Sequence, residues 1–346
     1  MIRVPTVFVI GAGASRELNF PIGSDLLKQI SQTLDIRFNY NEMESGDTRV
    51  LAAFEELSKT SDGRRGDVNP YLHAGWLIRD AAQLGLSIDN VINQIDQNLL
   101  VPICGKIAIA RQLLLAEKSS VIAVDRDNPS NFPLSSIRET WLGRFAQIVS
   151  QDVRTSELKK IFENVSIISF NYDRSIRRSL PAALMSQFAI DEIEAQSLTK
   201  MLRIFHPYGS LGPLPWEVSY PDGVGYGDAN VSSLTTVAQS LRTFTEQIED
   251  SSELAEMRDA LSKAERIIFL GFGYHRQNME LLSSGVVGNA KRVYGTSLGL
   301  SESDNEVVKQ ELTMLFHEHY RGHFGAILHR KKCVEFMDEH FRTFVS

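Results

Sequence analysis

Apolar runs that stop abruptly at Gly, Asn or Asp constrain this chain most. Residues 7–15 read VFVIGAGAS, residues 167–173 read IISFNYD and residues 267–273 read IIFLGFG. Near-continuous apolar strands of this kind are buried on both faces, as in parallel sheets. Each run delivers glycine or a polar residue to its carboxyl end, where open parallel sheets collect their ligands. A fourth segment, residues 205–212 (FHPYGSLG), ends in the same manner. The expected fold is α/β, a Rossmann-like parallel sheet with helices on both faces.

Between the first two strands the periodicity turns helical. Residues 47–59 place Val50, Leu51, Phe54 and Leu57 on one side, and residues 71–84 form a second helix. Residues 89–116 read as a long third helix, kinked at Pro102. Ser136 and Glu139 form a capping box for a helix to about residue 149, and Ser24 is expected to cap one running to about Thr33. Further strands are expected at 165–170, 203–205, 266–270 and 291–296. Helices are expected at 191–202, 234–248 and 253–264, from about Gln277, and after the 291–296 strand to the C-terminus. Residues 207–230, rich in Pro, Gly and Tyr, form a connection long enough to be functional or mobile. This divides the chain into a sheet domain, 1–38 with 165–346, and a helical insert, 39–164.

Composition narrows the classes of function. The 346 residues carry a net charge of −7, which argues against a general nucleic-acid coat. The basic groups Arg64-Arg65, Arg177-Arg178 and Arg330-Lys331-Lys332 read as solvated faces. Two cysteines, Cys104 and Cys333, are too few for a disulfide framework or a four-cysteine zinc site and suit a reducing cytoplasm. The stretch after Arg3 could pass for a short signal peptide, but a first strand entering a glycine turn explains it better. No uninterrupted apolar run reaches the roughly 18 residues of a membrane span, so no membrane partner is expected.

The turn Gly11-Ala12-Gly13-Ala14-Ser15 lets backbone approach a pyrophosphate and opens a helix whose free N–H groups could face it. A redox dinucleotide fingerprint would place a third Gly where Arg16 stands, and Asp35 follows a helix rather than a strand. The hydride-transfer reading therefore loses ground. Asn171 offers a donor and acceptors to a ribose hydroxyl or a water, although turn chemistry alone would also explain it. Asp173 could equally cap the next helix. His206 lies where Pro207 and Gly209 stop a strand; a satisfied core histidine and a proton-accepting group are both compatible with that place.

Gly11–Ser15, Pro21, Asn171-x-Asp173, His206 and Gly271-x-Gly273, in this order, resemble the sirtuin family. They are closer still to bacterial sirtuin-like NAD hydrolases of anti-phage defence. The resemblance spans residues 7 to about 296 and implies an NAD-binding sheet domain. By it, Gly11, Ala12, Gly13 and Ser15 approach the NAD phosphates, and Asn171 and Asp173 face the nicotinamide ribose and amide. His206 is the catalytic base or orients the ribose. Gly271, Gly273, Asn278 and Thr296 lie on the adenosine side. NAD is then substrate, no metal is required, and nicotinamide and ADP-ribose are the products. The family further implies a homo-oligomer or a hexameric ATPase translocase as restraint on a toxic activity. Pro21 is followed by Ile22-Gly23-Ser24 instead of the Asp-Phe-Arg of deacetylating sirtuins, and the zinc module is missing. A protein deacylase is thus the weaker reading, behind a non-catalytic NAD or ADP-ribose sensor. The C-terminal His317, His319, His323, His329, Cys333 and His340 are expected to form a polar helical surface, since position 321 is Arg and no zincin motif is completed.

Overall fold

Alternation of side chains along the apolar runs builds the centre of the molecule. The computed structural model describes residues 1–40, 42–125, 132–219, 222–242, 252–283, 292–317 and 325–346. Its strands are β1 (Thr6–Ile10), β2 (Arg37–Asn39), β3 (Glu42–Ser45), β4 (Val165–Ser169), β5 (Arg203–Phe205), β6 (Arg266–Leu270), β7 (Arg292–Thr296) and β8 (Ile327–His329). Six of them form a parallel sheet in the order β5-β4-β1-β6-β7-β8. The chain leaves central β1 first toward β4 and β5, then returns to its other side for β6, β7 and β8. This is the Rossmann-like doubly wound order, with the switch point at β1 and β6.

The two faces of the sheet feed separate cores. Phe8, Ile10, Ile167, Ile268 and Leu270 join a large core shared with the helices of the insert. Val7, Val9, Ile168, Ile267 and Phe269 face the other way, into a core closed by helices Ser252–Lys263, Arg276–Ser283 and Glu302–His317. Period-two alternation within an all-apolar strand produces this division.

Between β1 and β4 the chain is largely helical, with differences from expectation. The long helix at 89–116 is two helices, Ile88–Gln94 and Val101–Ser119. Pro102 sits in the first turn of the second, where its missing N–H costs nothing, and does not kink an interior. The expected capping box at Ser136 falls in a short helix, Leu134–Arg138, and the next, Trp141–Ser150, starts after Thr140. Its first N–H is taken by Glu17 Oε2 at 2.8 Å, from 124 residues away. Helix Gly23–Leu34 begins before Ser24 and has no side-chain cap. The antiparallel pair β2–β3 and edge strand β8 were not expected; each strand has three or four residues, too few to establish a period. The helix expected at 234–248 is Val231–Ser240, and residues 243–250 lie outside the described residues.

Helix packing crosses the expected boundaries at 38/39 and 164/165. Helix Gly23–Leu34 packs on Asn69–Ala81 and Val101–Ser119, whereas Trp141–Ser150 packs on helices Ser175–Phe188 and Cys333–Glu339. Phe145 meets Phe8 of β1 edge to face at 5.2 Å. The Arg177-Arg178 doublet is not a solvated face. Arg177 Nη2 donates to Leu202 O at 3.1 Å, and the Arg178 guanidinium lies over the rings of Phe132 and Tyr226.

Candidate functional site: a cavity across the strand ends

A cavity of about 820 Å³ runs across the carboxyl ends of the sheet, within the size range of small-molecule sites. Its walls come from the turns after β1, β4, β6, β7 and β8 and from Tyr208 after β5. Gly11, Ala12, Gly13, Ser15, Asn171, Asp173, Gly271, Gly273, Asn278 and Thr296, far apart in sequence, all line it.

Close approach of two turns sets its floor. Gly13 N–H donates to Gly271 O at 2.9 Å, and Gly11 N–H to Leu270 O at 3.0 Å. A Cβ on Gly11 would stand 2.6 Å from Gly271 O, and one on Gly13 would stand 2.9 Å from Gly271 Cα. Gly271 itself has φ +58°, and a Cβ there would lie 2.0 Å from Ala14 N. The glycines are therefore required where the turns of β1 and β6 touch. Because Gly13 N–H is spent on Gly271, it is not one of the free donors expected from the turn, and the helix that follows, Ala12–Arg16, has only five residues.

Asn171, Ser15 and Asp173 form one hydrogen-bonded unit. Asn171 Nδ2 donates to Gly11 O at 2.9 Å and to Ser15 Oγ at 2.7 Å. Ser15 Oγ donates in turn to Asp173 Oδ2. Asp173 Oδ1 accepts from Ser175 N at 3.0 Å, so it also fixes the start of helix Ser175–Phe188. The unit joins the β1 turn to the end of β4. The group Asn171 retains for a ligand is its carbonyl Oδ1, an acceptor.

His206 is not among the residues lining the cavity; it backs onto Asn171, with Nδ1 3.3 Å from that residue's carbonyl oxygen. Burial pushes its pKa below the ordinary histidine value, and the Asn171 carbonyl pulls weakly the other way. The ring is thus neutral at pH 7. Asn278 Oδ1 accepts from Tyr208 Oη at 2.7 Å, and Thr296 Oγ1 accepts from Gly271 N at 2.8 Å. Phe170 stacks edge-on against Tyr208 and Phe272 at 5.8 and 5.0 Å, an apolar wall for a flat ring.

Several lining residues carried no signal in the sequence. Asp89 comes from the insert, Tyr172 lies between Asn171 and Asp173, and Lys331 and Lys332 follow β8. Glu17 accepts from Trp141 N at 2.8 Å and Val334 N at 3.0 Å, tying three distant segments beside the cavity, and its burial raises its pKa. Asp35, the residue weighed for hydride chemistry, pairs with Arg37 and Arg79 away from the cavity.

Among the described residues of the C-terminal group, His329, Cys333 and His340 do not form a polar helical surface. His329 is on β8, Cys333 is buried, and His340 packs against Phe336, Phe344 and Tyr294. His319 and His323 lie outside the described residues. Among the described residues His329, Glu339 and His340 bring potential ligand atoms within 4.8 Å of one another, but Lys331 Nζ holds Glu339 Oε2 at 2.7 Å and His329 Nδ1 is 3.0 Å from the same oxygen. That internal ion pairing accounts for the cluster.

Among the described residues no helix is long and apolar enough to cross a membrane. Comparison with protein-family models and with curated proteins gives no match.

Proposed function

We propose that the protein is an NAD hydrolase that cleaves the nicotinamide–ribose bond, releasing nicotinamide and ADP-ribose. The observation that carries this reading is the Asn171–Ser15–Asp173 unit at the sheet's switch point, beneath a cavity of about 820 Å³ and in front of His206. The resemblance of the motif order to sirtuin-like NAD hydrolases supports it further.

Cleavage of a glycosyl bond passes through an oxocarbenium-like state, so the protein must hold the ribose, stabilise positive charge and place a water. Asn171 Oδ1 is the acceptor that orients a water or a ribose hydroxyl, because both donors of the amide are committed. Asp173 supplies negative charge beside the developing cation. His206, behind the cavity wall, acts through the Asn171 end of the site by fixing that segment. By the resemblance, Ala12 and Gly13 approach the phosphates from the cavity wall, and Gly271, Gly273, Asn278 and Thr296 stand toward the adenosine side.

The test is nicotinamide release from NAD by the purified protein, with Asn171→Ala and His206→Ala beside it. Release by wild type that falls at least about 100-fold in Asn171→Ala supports the assignment, the scale of one lost charge-orienting group. Turnover by Asn171→Ala at the wild-type rate would sink it. The commitment of the Asn171 amide and Ser15 hydroxyl to internal bonds favours, as second reading, a sensor that binds NAD or ADP-ribose without cleaving it. Tight NAD binding with no release, under every condition tried, would select that reading. A regulated role in anti-phage defence, a homo-oligomeric state and a hexameric ATPase translocase partner rest on the resemblance, and the mass of the protein in solution, alone and with such a partner, tests the last two.

A further inference from the structure

The insert contributes a carboxyl group to the cavity. Ser87 caps helix Ile88–Gln94 by accepting from Asn90 N at 3.1 Å, and Ser87, Ile88 and Asp89 all line the cavity wall. Asp89 stands in the first turn of that helix, and its Oδ1 accepts from Tyr172 Oη at 3.0 Å. Tyr172 sits between Asn171 and Asp173, so this bond fixes Asp89 at the β4 end of the cavity. Among the described residues no Lys or Arg forms an ion pair with Asp89; the titratable groups facing it are Tyr172 and His275, the latter also on the cavity wall. Removal from water pushes its pKa upward.

A partly buried carboxyl group facing a cavity without a cation beside it is stabilised by donors to its oxygens. The Tyr172 hydroxyl and the Asp89 backbone N–H are its donors within the protein, and two oxygens with several lone pairs accept more. Sugar hydroxyls are the donors that acidic side chains in nucleotide sites of this fold type take. We propose that Asp89 is a ribose-binding residue, accepting from the hydroxyls of the ribose held at the Asn171 end of the cavity. The inference rests on the NAD reading above and extends it: the site is complete only when the insert helix is docked against the sheet.

The experiment compares wild type, Asp89→Asn and Asp89→Glu for NAD affinity by calorimetry, for kcat and KM of nicotinamide release, and for thermal midpoint. Asparagine keeps the volume and an acceptor for Tyr172, so the midpoint stays near wild type. NAD affinity and kcat/KM fall by at least about tenfold, the scale of one hydrogen bond to a charged group. Glutamate, which keeps the carboxyl one methylene further out, recovers part of that loss. Wild-type affinity and kcat/KM in both variants would overturn the assignment. Wild type that binds NAD but releases no nicotinamide would end the hydrolase reading alone, and the affinity comparison would still decide the role of Asp89. Wild type that binds no NAD would end both.

Discussion

Gly271 shows how little freedom single positions have at the switch point. Its φ of +58° and the approach of Ala14 N leave no space for a side chain. Gly271→Ala is expected to cost at least about 1–3 kcal/mol from backbone conformation alone, with more from the clash, read as a lower urea midpoint. Gly23, also at positive φ, has open space around it, so Gly23→Ala should cost only the conformational part. At His206 the expectation concerns pH. Its folded-state pKa lies below the unfolded value of roughly 6.5. Between those two values the unfolded chain binds the proton and the native state does not, so stability is complete above about pH 6.5 and is lost as pH falls below it. Urea midpoints at pH 7.5 and 5.5 should therefore converge more closely in His206→Gln than in wild type. An equal drop in both proteins would show that His206 contributes nothing to acid sensitivity.

At the scale of elements, one buried ion pair binds the insert to the site. Arg174, next to Asp173, pairs in bidentate fashion with Glu117 of helix Val101–Ser119 through Nε and Nη2, at 2.9 and 2.5 Å, with both side chains buried. The same guanidinium donates to Val224 O and Gly225 O, and Glu117 Oε2 accepts from Gly227 N at 2.8 Å. The 207–230 connection, expected to be functional or mobile, is thus fastened at its far end, and Leu211 N adds a bond to Tyr172 O at 2.9 Å. Glu117→Ala leaves the arginine buried without its partner and should cost about 3–5 kcal/mol. Denaturant titration checks this; a loss below 1 kcal/mol would mean that the loop carbonyls suffice. Because Arg174 adjoins Asp173, the variant should also raise KM for NAD under conditions where it remains folded.

For the whole molecule, the shared core argues against independent folding of the insert. Phe8 and Ile10 of the central strand belong to the same cluster as Leu27, Ile78, Ile107 and Leu114 of the helical layer. Far-UV signal and tryptophan fluorescence, with Trp76 and Trp141 in the helical region, should then report one coincident transition on unfolding. Two separated transitions would show that the insert is an autonomous unit. Phe145→Ala, which removes the ring against Phe8, should shift that single transition by about 3–5 kcal/mol.

The strands and the turns that follow them were legible in the sequence because both signals are local. Apolar runs at 7–10, 167–170 and 267–270 and the glycines that end them specify buried parallel strands and the sheet end where a ligand gathers. Ser15, Asn171 and Asp173 could be nominated one by one from those strand ends. Only the tertiary structure decided that Asn171 bonds Ser15 and Gly11, that Gly13 gives its N–H to Gly271, and that His206 stands behind the cavity wall. Asp89 and Glu117 were invisible for the same reason: each looks like an ordinary acidic helix residue until a partner 83 or 57 positions away is folded against it. The sequence encodes period and chain reversal over a few residues at a time. Which polar atoms meet, and which carboxyl groups lose their water, is set by packing between elements that the chain brings together only on folding.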